Sequence, residues 1–336
     1  MYHLRIVAPP DRSGRALELL KGSPSVCNVI FLEGVAQHPH GDVIMADVAR
    51  EDASVILSDL RELDLDEVGS IALESIDTSI SKGAERAERA AKGAPSDAVI
   101  WEQVQFRTSE EATLSATYLT FIVLATLIAS VGILLNSPIL IVGAMVVGPE
   151  FGPIAGFCVA LVERQRRLAA RSLVALAVGF PVAIGLTYVV ALAFKATGAA
   201  PDGFSFDDFS LAHAISSPDF FAFFVALCAG IAGMLSLTTA KSGALIGVLI
   251  SVTTIPAAAA VALAAAYRDG DALGGSLAQL GVNLTMILVA GTGTLLVQRL
   301  LYRRRREDHL TDRSRLAAGL PLGHSKREGA SEREPV

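Results

Sequence analysis

Apolar and polar positions divide the chain into stretches with different periods. Tyr2–Ala8 alternates with the two-residue period of a half-buried strand. Asp11–Leu20 places Ala16, Leu17, Leu19 and Leu20 at helical spacing, with Asp11 or Ser13 as N-cap. Ser25–Leu32 and Asp42–Val48 read as strands. Ala53–Leu63 reads as a helix whose apolar residues are Val55, Ile56, Leu57, Leu60 and Leu63, and Ser70–Ile76 as a further strand. The predicted order βαββαβ over residues 1–80 is that of a ferredoxin-like split βαβ domain. That fold carries regulatory ligand-binding modules as well as plain packing domains, so it does not fix a role.

Beyond residue 111 the period disappears into long apolar runs. No charged residue lies between Ala112 and Pro149, and none between Phe151 and Val162. A membrane span takes about 20 apolar residues. The charge-free runs predict six: Ala116–Leu135, Ile139–Val162, Ser172–Phe194, Phe220–Ala240, Gly243–Tyr267 and Leu277–Gln298. The expected fold class is an α-helical polytopic membrane protein carrying an N-terminal α+β ferredoxin-like soluble domain. The expected layout is a soluble domain over 1–80, a linker and pre-membrane helix over 81–111, a membrane domain over 112–301 and a basic, disordered tail over 302–336. Trp101, just ahead of the first span, reads either as an interfacial residue or as an anchor packing the soluble unit onto the membrane part.

Charge gives these spans a direction. Residues 1–111 carry 11 basic and 20 acidic side chains, although only 18% of the whole chain is charged. The N-terminal MYHLRIVAPPDRSG lacks the basic and apolar regions of a cleaved signal, so the first domain is expected to stay cytoplasmic. Short loops rich in arginine stay on the cytoplasmic side. Arg164, Arg166, Arg167 and Arg171 therefore belong inside, as do Lys241 and the tail that begins YRRRR. Asp202, Asp207, Asp208 and Asp219 belong outside, with Arg268, Asp269 and Asp271. Six spans with both termini cytoplasmic satisfy every loop. The basic tail reads as a topology anchor or a contact to anionic lipid, and no nucleic-acid partner is expected.

Glu150 breaks the pattern. It stands between Pro149 and Pro153 near the middle of a span, where a carboxylate costs several kcal/mol and faces a bundle interior or a water path. Desolvation favours its neutral form, the state that proton coupling uses. The prolines predict a broken helix, which membranes tolerate where the break packs on protein or lines a cavity. A weak 3+3 repeat aligns Ser137, Gly143 and Pro153 with Ser242, Gly247 and Pro256. An odd number of spans per half makes the repeat inverted, an arrangement that points to a transporter's midplane site. Thr253 and Thr254, ahead of Pro256, then match Glu150, and Ser251, Asn136, Asn283 and Thr285 add ligand groups. These hydroxyls and amides also suit plain hydrogen bonding between helices. His38, His40 and Asp42 are residue types that bind metals, but with no further ligand nearby their loop reads as a solvated strand–strand turn. Cys27, Cys158 and Cys228 lie too far apart for a paired motif. No soluble-enzyme motif is present, no cofactor is implied, and an enzyme is not expected.

The stretch IASVGILLNSPILIVGAMVVGPEFGPIAGF (Ile128–Phe157) resembles the signature of the hydrophobic membrane proteins grouped as domain of unknown function 389. AKSGALIGVLISVTTIP (Ala240–Pro256) is similar to that family's second signature. The resemblance implies a bacterial cytoplasmic-membrane protein with a small cytosolic N-terminal domain, and supplies no function. Many members carry an apolar residue where this chain has Glu150, so the broken element is the shared feature and the carboxylate a specialisation of this branch. The functional expectation is a transporter or channel for a small solute or ion, tuned by the cytosolic domain. The alternative is a membrane-anchored sensor or scaffold whose ferredoxin-like domain binds a ligand or partner. Small-residue helices suit a homo-oligomer within the lipid bilayer under either reading.

Overall fold

The computed structural model describes residues 1–91, 99–200, 203–239 and 253–323. Two compact units emerge from it. One joins the described residues of Met1–Glu102 to Thr238, Thr239 and the described residues from Gln298 on, and the other holds the described residues from Gln103 to Leu237 and up to Val297.

The first unit begins with β1 (Tyr2–Ala8), α1 (Pro10–Gly22), β2 (Val26–Gln37) and β3 (His40–Val48). It continues with α2 (Arg50–Glu62), the short α3 (Leu65–Val68), β4 (Ser70–Ser75) and α4 (Lys82–Ala90). The four strands form one antiparallel sheet in the order β2-β3-β1-β4. β1 alternates as its sequence predicts. Tyr2, Leu4, Ile6 and Ala8 are buried, while Arg5 between them is exposed. Leu4 pairs with Ala46 and Leu73, and Ile6 with Ile44 and Ile71. This face packs on Leu19 and Leu20 of α1 and on Ile56 and Leu60 of α2. α1 starts at Pro10, whose fixed φ suits a first turn and whose missing N–H would have had no helical acceptor.

The second unit contains most of α5 (Trp101–Glu111), then α6 (Ala116–Leu134), α7 (Pro138–Val147), α8 (Phe151–Val162) and α9 (Arg166–Ala196). α10 (Ser210–Ser216), α11 (Phe220–Thr238), α12 (Thr254–Tyr267) and α13 (Gly270–His309) follow, the last belonging to the first unit from Gln298 on. Helices α6, α9, α11 and α13 are long and apolar enough to cross a membrane, and α7 with α8 makes a fifth if the bent pair is one span. The six predicted spans thus correspond to four or five among the described residues. The predicted fifth span, Gly243–Tyr267, lies partly outside them. Its described part is α12, a shorter helix buried on nearly every side and packed on α6 and α9. Its alanines let neighbouring backbones approach closely. Phe121, Leu173, Leu186, Val189, Phe224 and Val289 on the long helices are exposed, which is how helices meet lipid rather than water.

The tail expected to be disordered from residue 302 is helical over part of its length, and residues 324–336 of it lie outside the described residues. α13 continues to His309, and α14 (Arg313–Ala317) follows. The residues RRRR are good helix formers and simply prolong the helix. Arg315 is fully buried, and Ala318 and Leu320 belong to the same core as Leu4 and Ile6. Trp101 is likewise buried, edge-on to Tyr302 at 6.4 Å and under the Arg299 guanidinium at 5.0 Å.

Candidate functional site

The break between α7 and α8 follows from three residues. Pro149 has no N–H to continue α7 and disfavours helical geometry at Gly148, which adopts an extended ψ of 129°. α8 then restarts with Glu150 at its N-cap, and the two helices meet at a 49° bend. Pro153 does not break the chain. It sits in the first turn of α8, where its missing N–H costs nothing.

α12 starts the same way. Thr253 is its N-cap, and Pro256 occupies the third helical position that Pro153 occupies in α8. The first helical bond runs from the fourth residue's N–H to the cap carbonyl in both, Ile154 to Glu150 and Ala257 to Thr253, each at 3.2 Å. Pro256 therefore marks a helix start. Residues 240–252, which precede it, lie outside the described residues, and Lys241, Ser242, Gly247 and Ser251 lie among them.

These two starts meet. Thr254 donates its hydroxyl to Glu150 Oε1 at 2.7 Å, with Glu150 2% exposed and Thr254 fully buried. The carboxylate does not cap its own helix. Its second oxygen, Oε2, is buried without a hydrogen-bond partner. A β-carbon at Gly148 would lie 2.3 Å from Oε2 and 2.8 Å from Ile255 Cγ1, so only glycine leaves room for the carboxylate in this position.

Polar groups continue on the other side of Thr254. Asn283 Nδ2 donates to Thr253 Oγ1 at 2.8 Å, and Gln279 Nε2 donates to Asn283 Oδ1 at 3.3 Å. Gln279 and Asn283 are buried and share one face of α13, four residues apart. Of the residues predicted from sequence, the structure brings Glu150, Thr253, Thr254 and Asn283 together. Asn136 is elsewhere. It occupies a left-handed turn after α6 at φ 49°, is exposed, and accepts from the Leu211 N–H at 3.4 Å. Thr285 is exposed. Gln279 and Gly148 were not picked out by sequence. Gln279 had a signal, one helical turn before Asn283, whereas Gly148 was one glycine among 29.

Around the N-terminal loop, His38 and His40 are exposed, and Asp42 accepts from the Gly34 N–H at 2.8 Å. Bonds from Ser13 and then Gly34 hold the Asp42 carboxyl below its ordinary range. A second buried polar group lies in the first unit. Asp59 and Glu62 of α2 face Arg306 at 2.6 and 2.7 Å, His309 Nε2 meets Asp59 at 2.9 Å, and Arg315 bonds both carboxylates. Burial pushes the Asp59 carboxyl up, but the His309 bond and the charges of Arg306 and Arg315 outweigh it and hold it below the usual range.

Four or five helices long and apolar enough to cross a membrane, one of them a bent, proline-broken pair, are what a protein that sits in lipid would carry. Residues 145–289 match the family described as Domain of unknown function (DUF389). The match takes in Glu150, Thr253, Thr254, Gln279 and Asn283. An uncharacterised protein of Methanocaldococcus jannaschii is 28% identical over 158 residues, which is 47% of this chain and 47% of that protein. The chain thus spans about half the length of this relative. No solved structure matches the chain.

Proposed function

We propose that the chain is a multi-pass protein of a bacterial cytoplasmic membrane with both termini cytoplasmic, and that it moves a small solute or ion. The observation that carries this reading is the meeting of Glu150 with Thr254 at two matching helix starts. Proline-marked half-helices facing one another across a pseudo-symmetric bundle are how inverted-repeat carriers build midplane sites. The position-by-position parallel of the α8 and α12 starts supports a 3+3 repeat. A buried carboxylate with one unpartnered oxygen is costly to keep unless it exchanges a proton or a cation. The βαββαβ order and the β2-β3-β1-β4 sheet support a ferredoxin-like regulatory domain.

The test is flux. The full chain reconstituted in liposomes is assayed against protons, sodium, potassium and a panel of small polar solutes. Transport that falls at least about tenfold in Glu150→Gln is the expected result. Absence of flux across the panel, with Glu150→Gln identical to the parent, overturns the reading. One observation favours the sensor or scaffold reading. Edge strand β2 exposes Ile30, Phe31, Leu32 and Val35, a surface suited to a partner chain. Site-specific crosslinking from Phe31 that captures one defined partner, with flux absent, would favour that reading.

A further inference from the structure

A cavity of about 400 Å³ lies within the second unit, between α7, α10, α11, α12 and α13. Its volume falls in the range of small-molecule sites. Most of its wall is apolar, including Ile141, Met145 and Phe221. One end differs, being formed by Thr253, Gln279 and Asn283, and none of the described lining side chains is charged.

The hydrogen bonds at that end leave one acceptor over. Asn283 directs its amide nitrogen to Thr253 Oγ1 with one N–H, which leaves Asn283 Oδ1 facing Gln279. Gln279 must then present its own amide nitrogen, because the flipped orientation would set two carbonyl oxygens 3.3 Å apart. Gln279 Oε1 is consequently directed away from Asn283. It is buried without a partner, on a side chain only 3% exposed that lines the cavity. A buried acceptor left unpaired is unfavourable, and a donor brought by a molecule in the cavity would relieve it.

We infer that this cavity binds an uncharged amphiphile, an apolar body ending in a hydroxyl, which donates that hydroxyl to Gln279 Oε1. A charged end would be buried with no described counter-charge in the wall. The molecule is small enough for a single polar contact to fix its orientation, while the apolar wall supplies most of the attraction. The site does not include the Glu150 carboxylate and requires binding, not movement. It can therefore stand if the transport reading falls.

The experiment uses the full chain in lipid nanodiscs and a diazirine-bearing octanol as photolabel, with peptide mapping. Saturable labelling of Met145, Phe221 or their neighbours is expected, competed by octanol and not by octylammonium or octanoate. Gln279→Met weakens labelling about tenfold, the loss of one well-placed hydrogen bond. Met145→Trp, which fills the cavity and leaves Gln279 intact, abolishes it and serves where Gln279→Met does not fold. Equal labelling by the matching diazirine-bearing octane, or labelling spread over the exposed Leu186, Val189 and Phe224, overturns the inference.

Discussion

A carboxylate with one hydrogen bond and one bare oxygen inside an apolar bundle is a poor device for stability. Glu150→Gln keeps an oxygen to accept from Thr254 and removes any chance of a buried charge. Its thermal midpoint in detergent should match or exceed that of the parent. Thr254→Val is the opposite case. It leaves Oε1 as bare as Oε2 and should cost about 1–3 kcal/mol in the same measurement. A midpoint unchanged in Thr254→Val would show that the hydroxyl contributes nothing. Glu150 was legible in the sequence because charge is rare among apolar residues. Its partner was legible only through the weak repeat, which pointed to Thr253 or Thr254 without deciding between them. Gln279 escaped because an amide on a membrane helix looks like any other interhelical hydrogen-bonding group. Asn136 looked equivalent to Asn283, yet its place at a left-handed turn puts its side chain outside the bundle.

At the scale of elements, the α7–α8 bend exists because Gly148 and Pro149 together stop one helix and Glu150 starts the next. Gly148→Ala should push the carboxylate off Thr254, since the new methyl would meet Oε2 at 2.3 Å. The expected cost is about 1–3 kcal/mol, as for overpacking elsewhere. Because Oε2 is the nearest obstacle, the penalty should shrink when Glu150 is also replaced by alanine. A double-mutant cycle on thermal unfolding should show coupling above about 0.5 kcal/mol, and strict additivity would refute the clash. The break itself was readable from GPEFGP, since proline chemistry is local. Helix ends were read less well. The apolar runs marked where charge begins, whereas α9 starts at Arg166 and α13 continues to His309 because arginine is a good helix former.

For the molecule as a whole, the less expected result is that the first unit draws on both ends of the chain. Arg315 reaches Asp59 across 256 positions, a separation no periodicity can register. Arg315→Met removes one partner and leaves Arg306 and His309 in place. The loss should fall near the lower end for a broken buried pair, about 3 kcal/mol, read as faster hydrogen exchange in α2. Acid should act on the same contacts. Asp59 is held below its unfolded value of about 3.9, so its stabilising contribution is complete above that pH and is lost as pH falls through the lower folded value. Trp101, the sole tryptophan and buried in this unit, provides the readout. Its emission should hold steady from neutral pH to about 4 and shift red below. A red shift already complete at pH 6 would contradict this. The shared core also sets an order of events during synthesis. Asp59 and Glu62 leave the ribosome long before Arg306 and Arg315 exist, and Ala318 and Leu320 come later still. The part made first is therefore completed last, after every intervening helix has been translated, and a ribosome that stalls near residue 300 releases a chain whose opening domain lacks part of its own interior.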